Sequence, residues 1–101
     1  MIKEDLQQTV HELFNSLSKS DSTEYQEILE VLQKVYLRLQ KDESVEALAN
    51  RLANFIYFKA YTEKIHFTKD QDKMIQKISS IGKYAGLNGS YRADYGDKSQ
   101  F

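Results

Sequence analysis

The chain predicts an all-α protein, an antiparallel four-helix bundle with a short structured C-terminal tail. Three observations predict it. Apolar residues recur at helical spacing in four separate stretches. Short polar connections join those stretches, which favours antiparallel neighbours. No stretch sustains the period-two alternation of a half-buried strand. Proline is absent and the first glycine is Gly82, so earlier helix limits must come from caps and charged turns.

The first helix is expected over residues 3–17, with Ile2, Leu6, Val10, Leu13, Phe14 and Leu17 forming its apolar stripe. The polar run SKSDST (18–23) ends it, because Ser and Asp side chains compete for the backbone. Asp21 or Ser22 then caps a second helix over 23–41, whose inner positions are Tyr25, Ile28, Leu29, Leu32, Val35, Tyr36 and Leu39. After the turn KDES, Asp42 or Ser44 caps the third helix, residues 44–62.

This third helix organises the rest. Val45, Leu48, Ala49, Leu52, Phe55 and Ile56 form one continuous stripe, while Tyr57, Phe58 and Tyr61 fall on another side of the same helix. Aromatic surface of that extent is unfavourable in water at about 25 cal/mol per Å². The expected cover is Tyr91 or Tyr95 from the tail, residues 88–101.

The fourth helix is expected over 69–85. Thr68 and Gln71 have the spacing of a capping box, and Met74, Ile75, Ile78, Ile81 and Ala85 are its inner positions. Gly86 is placed to stop it, with Leu87 folding back. Gly82, inside the helix, costs up to about 1 kcal/mol in propensity and points to close approach by another backbone.

At 101 residues the chain has the size of one domain and is expected to fold as one, residues 1–101. With 41% apolar and 29% charged residues it is expected to be globular, not disordered. Lack of cysteine excludes disulfide and thiolate chemistry. The sequence carries no apolar run of signal-peptide or membrane-spanning length, which predicts a cytoplasmic protein without stable membrane insertion. Charge is uneven: residues 1–43 hold five basic against nine acidic residues, and residues 44–101 nine against six.

No catalytic signature is present. His11 is followed by Glu12 but lacks the second histidine of a zinc protease motif, and His66 with Asp70 supplies two ligands without a third. The residues therefore predict no enzyme and no cofactor. Lys69, Lys73 and Lys77 form a basic row off the apolar stripe of the fourth helix. Such a row is commonly just a solubilising face; its sharper reading is a surface for an acidic protein patch or anionic lipid headgroups. Asp70 and Asp72 dilute it, which argues against nucleic acid. Residue chemistry alone leads to a helical interaction module; a generic adaptor and a small metal-binding or enzymatic bundle are the alternatives.

The segment from Leu48 to Tyr95, with LANFIYF (52–58), KISSIGKYAGLNGSY (77–91) and the closing Tyr95, resembles the immunity proteins of pediocin-like (class IIa) bacteriocins, the enterocin A immunity type in particular. That resemblance implies a cytosolic four-helix bundle that is not an enzyme. It implies association, from inside, with the membrane mannose-phosphotransferase permease carrying bound bacteriocin, and a block of the pore. It also implies that the C-terminal half sets which bacteriocin is resisted. The candidate partner-binding residues are accordingly Lys69, Lys73, Lys77, Tyr91, Arg92 and Tyr95.

Overall fold

The computed structural model describes residues 2–20, 23–41 and 44–87, with side chains through Lys83. Four helices follow one another: α1 (Ile2–Ser18), α2 (Gln26–Arg38), α3 (Val45–Glu63) and α4 (Lys69–Leu87), with a single 3₁₀ turn, Thr23–Tyr25, ahead of α2. Three cross-helix contacts fix the antiparallel order. His11 of α1 meets Tyr36 late in α2, with ring centroids 6.2 Å apart. Glu27 early in α2 pairs with Lys59 late in α3. Ser16 near the end of α1 is bonded to Gln71 in the first turn of α4.

The stripes bury as their periodicity requires. Leu6, Val10, Leu13 and Leu17 from α1, Ile28, Leu32 and Val35 from α2, and Leu39 just beyond it are fully enclosed. They meet Leu48, Leu52, Phe55 and Ile56 from α3 and Ile75 and Ile78 from α4. Two expected members of the stripes are not core. Ile2 is half exposed, because it opens α1 and has no preceding turn to pack beneath. Tyr36 is exposed at 37%, while Val31 takes a fully buried position on α2 instead. Phe14, Leu29, Met74 and Ile81 are only half-buried at the margin of the core. Thr9 is a buried polar residue the pattern did not mark; its hydroxyl donates to the Asp5 carbonyl at 2.8 Å, which satisfies it within its own helix.

Local chemistry sets the helix limits. Ser44 caps α3 by accepting from the Ala47 amide at 3.4 Å. Thr68 and Gln71 form the reciprocal capping box: the Gln71 amide donates to Thr68 Oγ1 at 3.2 Å, and the Thr68 amide donates to Gln71 Oε1 at 2.9 Å. α3 ends without glycine. Lys64 adopts a left-handed backbone, φ 55°, and the Ile65 amide reaches back to the Ala60 carbonyl at 3.1 Å. Ile65 is buried there, and its apolar contact helps hold the lysine in a conformation that glycine adopts more readily. α4 continues through Gly86 to Leu87, past the stop expected at Gly86. The caps expected from Asp21, Ser22 and Asp42 lie outside the described residues.

α3 and α4 form the most extensive helix pair. Gly82 explains how they approach. A Cβ at that position would sit 2.5 Å from Asn50 Cα and 2.8 Å from the Ala49 carbonyl carbon, and closer still to the Asn50 amide nitrogen. The glycine in α4 therefore faces bare backbone on α3, as its place in the sequence suggested.

Candidate partner-binding surface

Two features lock the end of the bundle where α1 gives way to α2 and α3 to α4. The Gln71 side chain, 2% exposed, accepts from the Thr68 amide and donates through Nε2 to Ser16 Oγ at 3.0 Å. One buried amide thus caps α4 and ties it to α1. Tyr25, an inner position by its spacing, is buried in the core as expected, within the 3₁₀ turn ahead of α2. Its hydroxyl donates to the His66 carbonyl at 2.9 Å, and its ring stacks on Phe67 with centroids 6.0 Å apart. Burial, with Glu24 beside it, pushes the Tyr25 phenol above its ordinary range.

Lys59 joins α2 to α3. Its Nζ lies 2.6 Å from Glu27 Oε2 and 3.2 Å from Glu63 Oε2, and 5.8 Å above the centroid of Phe55. The side chain is only 15% exposed. The hydrogen bond to Glu27 raises its pKa, against the opposing effect of burial, and Glu63 adds to the rise. Charge on Lys59 is therefore part of the fold and not available to a partner.

Exposed apolar residues lie on α1 and α2, at Ile2, Tyr36 and Leu37, and more extensively on α3. Tyr57, Phe58 and Tyr61 are exposed at 45%, 40% and 86%. The cover expected for them from Tyr91 or Tyr95 lies outside the described residues, as do Tyr91, Arg92 and Tyr95 as contact residues. Lys69, Lys73 and Lys77 are all exposed on α4. Lys83, not singled out from the sequence, is exposed on the same helix. Lys59 and Lys34 are held in ion pairs, but none of the four α4 lysines pairs with a described residue.

On the opposite pair, α1 and α2 leave a groove of about 200 Å³. Val10, Phe14 and Leu32 line it, with His11, Asn15 and Tyr36 at its more exposed positions. Among the described residues, no three His, Cys, Asp or Glu side chains come together as a metal site. His66 contributes its backbone carbonyl to Tyr25, while its side chain is exposed.

This sequence and fold have close counterparts. A sequence profile of the bacteriocin immunity protein family matches residues 3–83. The chain belongs to the bacteriocin immunity protein family. It is 49% identical over 81 residues to the probable mesentericin-Y105 immunity protein of Leuconostoc mesenteroides, covering 80% of this chain and 72% of that one. It is 45% identical over 85 residues to the probable leucocin-A immunity protein of Leuconostoc gelidum, covering 84% and 75%. The crystal structure of EntA-im, a bacterial protein conferring immunity to the pediocin-like bacteriocin enterocin A, superposes with a TM-score of 0.71 at 56% identity, over 95% of this chain and 99% of that one. These relatives are immunity proteins, and the family's helical bundle is the fold of this member.

Proposed function

We propose that this protein acts in the cytoplasm and protects the cell that makes it from a pediocin-like bacteriocin. It docks from the inside on the mannose-phosphotransferase permease with bacteriocin bound and prevents the pore from functioning. The observation that carries this reading is the 56% identity to EntA-im across nearly the whole of both chains. At that similarity the exposed positions, as well as the core, have counterparts to compare.

The molecule suits a docking role. Among the described residues no helix is long and apolar enough to cross a membrane. α3 and α4, in the half to which the resemblance assigns specificity, carry exposed aromatics and lysines. Lys69, Lys73 and Lys77 on α4, with Tyr91, Arg92 and Tyr95 beyond it, are the candidate contacts. Charges on such a surface set encounter rate and reject wrong partners more than they add affinity.

Expression in a sensitive strain tests the function. Inhibitory concentrations should rise for some pediocin-like bacteriocins and not for others. An unchanged panel, with folded protein demonstrated in the cells, overturns the reading. Co-purification with detergent-solubilised permease, with and without bacteriocin, tests the mechanism separately.

A further inference from the structure

The lysines of α4 form a tighter group than their sequence spacing shows. At 100° per residue, Lys83, Lys69, Lys73 and Lys77 fall in that order within an arc of about 120° on the helix surface. The arc also contains Gln76 and Ser80, both exposed and uncharged, and the uncharged residues Tyr84 and Leu87. Asp72 and Asp70 fall just outside its two margins. From Lys69 to Lys83 the row runs about 21 Å along the axis. It is a band of four exposed ammonium groups without a carboxylate inside it, and none is neutralised by a described residue.

A second row runs along the edge of α3 nearest to α4. Ala49 meets Gly82, and each step of four residues then rotates about 40° out of the contact. Exposure along that row climbs from Ala49 and Ala53, both buried, to Tyr57 at 45% and Tyr61 at 86%. The tyrosines thus emerge on the outer side of α3, apart from the lysine band on the far side of α4.

Gly82 faces α3, and the centre of the lysine arc lies about 160° from it around α4, so the band looks away from α3. We propose that this outer face of α4 rests on an anionic lipid bilayer, with the four lysines on headgroup phosphates. The chemistry favours lipid over a shaped acidic protein patch. The band contains lysine and no arginine, so it offers mobile point charges without the planar fork that recognises a fixed carboxylate. A fluid array of headgroups can adjust to such charges. The uneven charge of the chain orients it: residues 1–43 sum to −4 and residues 44–101 to +3. This inference rests on the proposed site of action beneath the permease and refines it, because the lysines then also meet the lipid that surrounds the permease.

Sedimentation of the full chain with protein-free vesicles tests it apart from the permease. The protein should bind phosphatidylcholine vesicles containing one-third phosphatidylglycerol, at low salt, and not pure phosphatidylcholine. Since each lysine near an anionic surface contributes roughly a factor of five, Lys69→Gln, Lys73→Gln and Lys77→Gln together should cut partitioning by about 100-fold. Their melting curve should stay close to that of the parent. Tyr61→Ser, on α3 and outside the band, should change binding little. Lys3→Gln, Lys19→Gln and Lys41→Gln together change net charge equally and should matter far less. Failure to bind anionic vesicles, or an equal loss from both triple variants, overturns the inference. Either result leaves the permease reading standing, because protection in cells is measured independently.

Discussion

The two helix pairs of this bundle are built differently. α3 and α4 close until the Gly82 position of one lies on the backbone of the other, with Ala49 and Asn50 opposite. Between α1 and α2, Phe14 and Tyr36 border a groove of about 200 Å³. Dense packing leaves little room for substitution, because neighbouring atoms have nowhere to move. The α3–α4 pair is thus a firm platform whose outer positions can vary. The α1–α2 pair has slack within the packing itself.

The largest expected contrast is between core leucine and groove aromatic. Leu52→Ala removes a fully buried side chain from α3 and should cost about 2–5 kcal/mol. Phe14→Ala acts at a half-buried ring already facing an open groove, so its cost should be clearly smaller. Denaturant midpoints of the two variants make the comparison. Equal losses would mean that the groove is as tightly packed as the platform.

Next comes Gly82→Ala. On an open helix face this change would stabilise by reducing unfolded-chain entropy. Here the added methyl collides with backbone, and overpacking should cost about 1–3 kcal/mol or more. Ser80→Ala, exposed two residues earlier, is the control and should change little. A stabilised Gly82→Ala protein would show that the helices can separate and that the platform is not firm.

The smallest effect concerns Lys59, which links the two pairs through Glu27. Its folded pKa is raised, so its contribution to stability is fully present below the unfolded value, near 10.4, and is lost as pH rises through the folded value. Lys59→Met should therefore melt with a shallower decline above about pH 10 than the parent. Parallel alkaline limbs for the two proteins would remove the ion pair from the account.

Much of this was legible in the sequence, for a physical reason that individual residues make plain. The capping box needs only Thr68 and Gln71 three positions apart, and the cap of α3 needs only Ser44 before an apolar run. Such bonds close within one turn, so local order determines them. The stripes of α1 to α4 follow equally from spacing. Gly82 announced a close approach, but only the packed helices identify Asn50 as the residue approached.

Other features depend on how the helices rotate and meet, which no local window contains. Tyr25 keeps the inner position its spacing gives, but the carbonyl that accepts its hydroxyl, at His66, lies 41 residues away. Gln71 reaches Ser16 and Lys59 reaches Glu27 only after α1, α2, α3 and α4 have found their neighbours. Lys64 takes a left-handed turn that its side chain does not favour, with Ile65 buried beside it. Ile2 and Tyr36 satisfy the apolar period and still face outward, since a period defines a side of a helix and not what covers it. Sequence determined which segments are helices and where most of them begin; tertiary structure decided which polar groups join them and which aromatic faces remain open.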